Sequence, residues 1–571
     1  MLQMLWTKQG QLLKEHREKQ PWTVYPRPQM KRESYLNLNG WWDFAVSEKD
    51  RVPEEFTQQI RVPFCPESRL SGVDVHFPEN CFLFYRKKLT LPQGFRRGRV
   101  LLHIGAADQI ADVFVNGREI FHHEGGYDAF SCDITDALEE ENELVIRCKD
   151  DLTNQSFPYG KQTLNRGGMW YTPVSGIWQT VWAESVPDVY IRELNIENRG
   201  TSVLIDTGDP SLAGTVTVKG LGEYSLTEGK VTIAPENPHL WSPEDPYLYE
   251  FTLTAGEDTV ESYFALRVLE IKKVGSYPRL CLNGKPYFFH GLLDQGYWPD
   301  GIFTPAEPEN YAEDILSMKK LGFNTLRKHI KVEAEEFYYQ CDKLGMIVWQ
   351  DMVNNSDYNF LRDTALPTAG ILSIPDKHLH KDQLHRSRFL MSMIKTVRQL
   401  RNHPSILYWT IFNEGWGQFD ADYVFDEFKK LDDTRFVDAT SGWFLRKNSD
   451  VDSRHVYFRK VKLKGNGKRP LVLSEFGGKT YSVQGHIFNP DKTYGYGGCE
   501  STAQLNEVVA ALYMDEIVPC IKNGLCASIY TQVSDVEDEI NGLITYDRRV
   551  EKMDPGVMLR VAEALRKAIE E

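Results

Sequence analysis

The sequence predicts three units in series: an N-terminal β jelly roll, an immunoglobulin-like β-sandwich and a C-terminal (β/α)8 barrel. The chain is 571 residues long, well beyond the ~250–300 residues that one hydrophobic core encloses. Up to about residue 272, short runs alternating apolar and polar residues are separated by Gly, Pro, Asn and Asp turns, the grammar of β-strands. Beyond it, short apolar runs alternate with longer helical stretches, as parallel βα units require. The expected divisions are residues 1–187, 188–273 and 274–571.

In the first unit the candidate strands include FLFYRKKLTL, RVLLHIG, IADVFVNGREIF and NELVIRCKD, and a two-sheet jelly roll buries their apolar faces. A shorter series, VYIRELNIE, TVTVKG, LYEFTLTAG and ESYFALRVLEI, reads as the small sandwich. Eight barrel strands follow, at 287–292, 323–329, 346–352, 405–413, 436–442, 455–458, 470–476 and 526–532. Helical patterns such as AEDILSMKKLG and HRSRFLMSMIKTVRQLRNH lie between most of them. A doubly wound open sheet is the alternative, but no Gly-x-Gly-x-x-Gly turn follows the first strand. Short linkers imply that the first two units pack on the barrel and wall its mouth.

Composition narrows the function. A net charge of −15 disfavours a nucleic-acid partner, which needs clustered Lys and Arg. No apolar run long enough to cross a membrane is present, and the N-terminus shows no signal-peptide pattern, so a cytoplasmic location is expected. Nine cysteines without a Cys-x-x-Cys pair disfavour both a disulfide framework and a zinc site. No cofactor or metal is expected: His-Glu-x-x-His is absent, and His378 and His380 fall in a loop. With 13 Trp, 27 Tyr and 29 Phe, the chain has material both for cores and for stacking on sugar rings. A homo-oligomer stays open.

Active sites of such barrels lie at the C-terminal ends of the strands. Two carboxylates stand there: Glu414 after NHPSILYWTIFN and Glu475 in RPLVLSEFGG. A carboxylate abutting a buried apolar run is costly without a partner or a task. Two facing carboxylates suit glycoside hydrolysis, one protonating the leaving oxygen and the other attacking the anomeric carbon. For a retaining mechanism their carboxyl groups should lie roughly 5–5.5 Å apart. These requirements do not say which residue takes which role.

The run NHPSILYWTIFNEG resembles the acid/base signature of glycoside hydrolase family 2, which includes β-galactosidases, β-glucuronidases and β-mannosidases. LNGWWDF, ADVFVNGREIFHHEGGYDAF and PVSGIWQTVW are similar to that family's N-terminal sugar-binding domain. The resemblance implies Glu414 as acid/base, Asn413 on the sugar 2-hydroxyl and Glu475 as nucleophile. It also implies Arg327 and Tyr457 as supports of the nucleophile. Trp416 and Tyr530 are candidate sugar platforms, and Asp294, Asp351, His329 and Asp535, at or near strand ends, are candidate hydroxyl ligands.

Two departures bear on the substrate. GLLDQGYWPDG stands where β-galactosidases tend to carry Asn-Arg-His-Glu, and the Asn-x-Lys motif that reads a glucuronic carboxylate is absent. The segment after the eighth strand, VSDVEDEINGLITYDRR, is rich in acids that would repel a uronate. The expectation is thus a retaining exo-glycosidase with a β-galactoside as leading substrate. The alternatives are a β-glucuronide, a β-mannoside, an α-L-arabinopyranoside, or a degenerate chain that only binds carbohydrate.

Overall fold

The computed structural model describes residues 2–368 and 375–571. Its first sandwich opposes a six-stranded sheet, centred on Phe82–Leu89 and Asn142–Lys149, to a four-stranded sheet containing Arg99–Ile104 and Val181–Val186. Trp42, Phe44, Tyr85, Val113 and Ile146 fill the space between them. A smaller sandwich of three and four strands follows, with a separate core. Its strand Tyr249–Ala255 shows why the period is two: Tyr249, Phe251, Leu253 and Ala255 point inward, while Glu250 and Thr254 are exposed.

The third part is a barrel of eight parallel strands, β1 (Phe289–Asp294), β2 (Thr325–Lys328), β3 (Ile347–Asp351), β4 (Ile406–Asn413), β5 (Phe436–Ser441), β6 (Asp452–Val456), β7 (Leu471–Gly477) and β8 (Leu525–Thr531). The hydrogen-bonded order is β5-β4-β3-β2-β1-β8-β7-β6, and the ladder is open between β5 and β6. Seven of the strands are buried at every position, which is why they read as unbroken rather than alternating apolar runs. A hairpin, Leu269–Val274 with Tyr277–Leu282, closes the barrel at the N-terminal ends of the strands. Its Leu280 and Leu282 join Phe289, Ile347, Trp349 and Leu407 in one core, so the hairpin runs across the expected junction at residue 273.

One strand is displaced from its expected position. The apolar run 455–458 suggested β6, but the strand is Asp452–Val456, and Tyr457 and Phe458 lie beyond its end. Its inward residues are polar, and Ser453 bonds the Ser474 hydroxyl at 2.5 Å instead of packing apolar surface.

The sandwiches attach to the barrel differently. In the first, the Tyr159 and Gly160 N–H groups donate to the Asn354 carbonyl (3.1 and 3.2 Å), just past β3. Arg166 of the same loop pairs with Glu537 (3.4 Å) and Asp538 (3.0 Å), beyond β8. The second sandwich was expected to frame the mouth as well, but it docks at the opposite end. Tyr263 donates to Asp342 (2.7 Å) at the end of helix Glu335–Leu344, and Arg267 donates to the carbonyl of Ile406 (3.1 Å), where β4 begins. The chain's start also lies on the barrel: Thr7 gives Asp300 two hydrogen bonds, from its N–H (2.8 Å) and its hydroxyl (2.7 Å).

Candidate active site

Glu414 follows β4 directly, with φ at +54°, a left-handed conformation that costs a non-glycine residue energy and is retained mainly where surrounding structure enforces it. Here the enforcing contact is its N–H, which donates to the Ser441 carbonyl of β5 at 2.9 Å. Glu475 lies within β7, two residues before its end. The pairing of β6 with β7 shifts register between Arg454 and His455, and the shift sets His455 opposite Glu475.

The surroundings of Glu475 favour its ionised form. Arg327, fully buried on β2, donates to Glu475 Oε1 (3.1 Å) through Nη1, to Asn413 Oδ1 (2.9 Å) through Nη2 and to Asp351 (2.9 Å) through Nε. Tyr457 donates its hydroxyl to Glu475 Oε2 at 2.6 Å. Burial alone would push the Glu475 carboxyl up, but His455, Arg327, His329 and the Tyr457 hydroxyl together bring it down from 4.5 to about 2. Because the folded value is the lower one, this stabilisation is complete above pH 4.5 and is lost as pH falls through about 2. Between those pH values the melting temperature of Glu475→Gln should therefore fall less steeply than that of the parent protein, as read by calorimetry. Equal slopes would contradict the assignment.

Glu414 is held differently. His455 Nδ1 lies 2.8 Å from Glu414 Oε1 and 3.6 Å from Glu475 Oε2, while its Nε2 is 3.0 Å from the Ser441 hydroxyl. With Nδ1 protonated the imidazole donates to Glu414, and the Ser441 hydroxyl, in contact with Nε2, donates to the Ser474 hydroxyl at 2.9 Å. One oxygen of each glutamate and His455 Nδ1 all lie within 4.8 Å of one another. The two carboxylates therefore face each other across a short gap, as a pair that shares one anomeric carbon must. The Trp443 indole donates to the Glu414 carbonyl at 3.0 Å and packs edge-on against His455.

Among the described residues this trio is also the one group of three side chains able to hold a metal ion. A divalent cation would face the permanent charge of Arg327, already 3.1 Å from the Glu475 carboxylate. The donor set therefore fits a cation poorly.

The remaining predicted residues divide. Arg327 and Tyr457 meet at Glu475, and Asn413 joins them through Arg327. Asp351 is committed to Arg327 and to His329 Nδ1 (2.7 Å), so it braces the cluster. His329 keeps Nε2 without a partner among the described residues, and burial depresses its pKa. Asp294 ends β1 but pairs with Lys328 (2.7 Å) in a buried network, away from the two glutamates. Three expectations need correction. Tyr530 is fully buried, accepts the Lys479 N–H at 3.0 Å and has no open ring face, so it is not a platform. Trp416 is 2% exposed among Tyr159, Trp170 and Tyr358, and supports the wall from behind. Asp535 is taken by Lys552 (2.6 Å) and the Gly542 N–H (2.9 Å), which pin the loop after β8.

The mouth also holds residues that the sequence reading passed over. Tyr496 stacks on Tyr457, with ring centroids 4.2 Å apart. From the first sandwich come Lys161, Trp170 and Tyr171, and Tyr171 bonds Glu539 of the loop after β8. The acids of that loop do not form the repelling row expected of them. Arg166 pairs with Glu537 and Asp538, Lys552 pairs with Asp535, and Glu539 accepts from Tyr171 and Gln532. His455 had a readable signal: it lies two residues before Tyr457, the spacing that puts side chains on one face of an extended chain.

Comparison with known proteins agrees with this architecture. Family models match consecutive stretches: "Glycosyl hydrolase 2 galactose-binding domain-like" at residues 66–165, "Glycosyl hydrolases family 2" at 188–267 and "Glycosyl hydrolases family 2, TIM barrel domain" at 273–553. A β-glucuronidase of Felis catus is 27% identical over 458 residues, 68% of this chain and 65% of that protein. A β-galactosidase of Thermoanaerobacter pseudethanolicus is 23% identical over 495 residues, 79% of this chain and 62% of that protein. The chain thus spans less than two thirds of the length of these curated relatives. The structure of a β-D-glucuronidase from Dictyoglomus thermophilum superposes with a TM-score of 0.71 at 19% identity, covering 95% of this chain and 98% of that one, a likeness of fold. Three family models in domain order and a barrel carrying two clustered glutamates lead to one assignment: the chain belongs to glycoside hydrolase family 2.

Proposed function

We propose that this chain is a retaining, exo-acting glycosidase of β-uronides, with a β-glucuronide as its first substrate. The observation that carries the reaction is the pair of carboxylates: Glu475 held ionised by Arg327 and Tyr457, and an oxygen of Glu414 within 4.8 Å of one of Glu475. Glu475 attacks the anomeric carbon as the protonated Glu414 gives its proton to the leaving oxygen, and a glycosyl ester forms on Glu475. Glu414, now a carboxylate, takes a proton from water, which attacks the same carbon and releases Glu475. Asn413, with Oδ1 fixed by Arg327, turns its amide nitrogen to the 2-hydroxyl. His455 sets the position of Glu414.

The glycone is supported by the relatives, among which β-glucuronidases recur. The β-galactoside favoured by the sequence becomes the second reading, kept by the β-galactosidase relative. The acid-rich loop that argued against a uronate carries its own partners, which removes the objection. A panel of 4-nitrophenyl glycosides differing only in the sugar tests the proposal. Turnover of the β-glucuronide or β-galacturonide should exceed that of the β-galactoside, β-mannoside and α-L-arabinopyranoside. A leading neutral glycoside would remove the uronide assignment, and no turnover of any would remove the catalytic one.

A further inference from the structure

Among the described residues four lysines are buried: Lys161, Lys328, Lys331 and Lys552. Three have carboxylate partners. Lys328 is 2.7 Å from Asp294 and 2.9 Å from Glu333, Lys331 is 3.0 Å from Glu333, and Lys552 is 2.6 Å from Asp535. Lys161, only 7% exposed, has neither a carboxylate within 4.0 Å nor a hydrogen-bond acceptor for its ammonium among the described residues. Its side chain is enclosed while its ammonium meets the Trp170 ring and no anion or hydrogen-bond acceptor of the described chain, so the charge is free to take an anionic partner from outside.

The fold places this charge with care. Lys161 belongs to the first-sandwich loop whose Gly160 N–H donates to the Asn354 carbonyl at 3.2 Å, and the Tyr171 N–H donates to the Lys161 carbonyl at 3.0 Å. Gly160 has φ at +63°, and a Cβ there would lie 2.8 Å from the Ile330 carbonyl, so only glycine lets the loop press so closely on the end of β2. The ammonium is 5.4 Å from the centre of the Trp170 ring, which packs on Trp416, two residues past Glu414. Its charge reaches two groups of the mouth. Burial depresses His329, with Lys161 adding to the effect, and burial raises Glu539, with Lys161 opposing the rise. His329 in turn acts on Glu475. Lys161 therefore stands between the ends of β2 and β3 and the loop after β8, on the same mouth as the catalytic pair.

We propose that Lys161, supplied by the first sandwich, reads the C5 carboxylate of the glycone. This rests on the proposed glycosidase reading and adds to it the residue that selects the acid sugar. The Asn-x-Lys motif is absent from the barrel, and the cation comes instead from a loop more than 300 residues earlier in the chain. An ammonium donating to a carboxylate forms a charge-assisted bond, stronger than any it makes to a neutral CH2OH group.

The test is Lys161→Met assayed on paired 4-nitrophenyl substrates, β-glucuronide against β-glucoside and β-galacturonide against β-galactoside. The ratio of kcat/KM for acid over neutral sugar should fall about 30- to 100-fold. An unchanged ratio, with both substrates losing equally, would overturn the proposal. If Lys161→Met does not fold, judged by its melting curve, Lys161→Gln keeps a polar tip and is measured instead. If the parent protein turns over none of the four substrates, the catalytic reading fails separately, and calorimetric titration with free glucuronate, galacturonate, glucose and galactose still judges Lys161. The parent should then bind an acid sugar that the variant does not, and acid binding that is absent from the parent or equal in both would reject the role.

Discussion

Glu475→Gln is expected to lower kcat by about 10,000-fold or more on every glycoside the parent protein cleaves, activated or not. Glutamine keeps the shape and can still hydrogen-bond Arg327 and Tyr457, so the site should assemble. What it lacks is the anionic oxygen that bonds to the anomeric carbon, and no neighbour can replace it. Asp351, which shares Arg327 with Glu475, has its oxygens occupied by Arg327 and His329, and Glu414 is engaged by His455. Steady-state rates with a 4-nitrophenyl glycoside and with an unactivated glycoside check this. A variant within tenfold of the parent on either substrate would show that Glu475 is not the attacking group.

Glu414→Ala should instead give losses that depend on the leaving group. A poor leaving group needs the proton and should slow by about 100- to 10,000-fold, whereas 2,4-dinitrophenolate departs unaided. With an activated substrate the glycosyl-enzyme should form and then accumulate, because the base for its hydrolysis is gone. A burst of phenolate followed by a slow steady state is the expected trace. A loss of equal size across leaving groups would mean that Glu414 only supports the site.

The two halves of this account were not equally legible in the sequence. Barrel strands are covered on both sides, so each appears as a compact apolar run, and seven of eight were placed to within about two residues. The sixth shifted because its inward residues, Ser453 among them, bond hydroxyls rather than pack. Within the site, Glu414 and Glu475 could be located because position at a strand end is a local property, while Asn413, Arg327 and Tyr457 were reached through the family resemblance of the motifs around them. Direction is not local, and Tyr530 and Asp535 look equally well placed yet are enclosed by Lys479 and Lys552. Lys161 carries no sequence signal at all, since its meaning depends on a loop of one domain crossing the strands of another. The acid-rich segment misled for the same reason: Arg166, the partner of Glu537 and Asp538, is about 370 residues away.

The central claim is that Glu475 attacks and Glu414 moves protons. Azide distinguishes the two residues, because it is a nucleophile that needs no general base. In Glu414→Ala it should intercept the accumulated glycosyl-enzyme and give a glycosyl azide of retained configuration. In Glu475→Ala it can only attack the substrate directly, and any product should be inverted. Proton NMR of the anomeric centre reads both results from one aryl glycoside. Retention in Glu414→Ala with inversion in Glu475→Ala is the predicted outcome, and the reverse pattern would contradict the account.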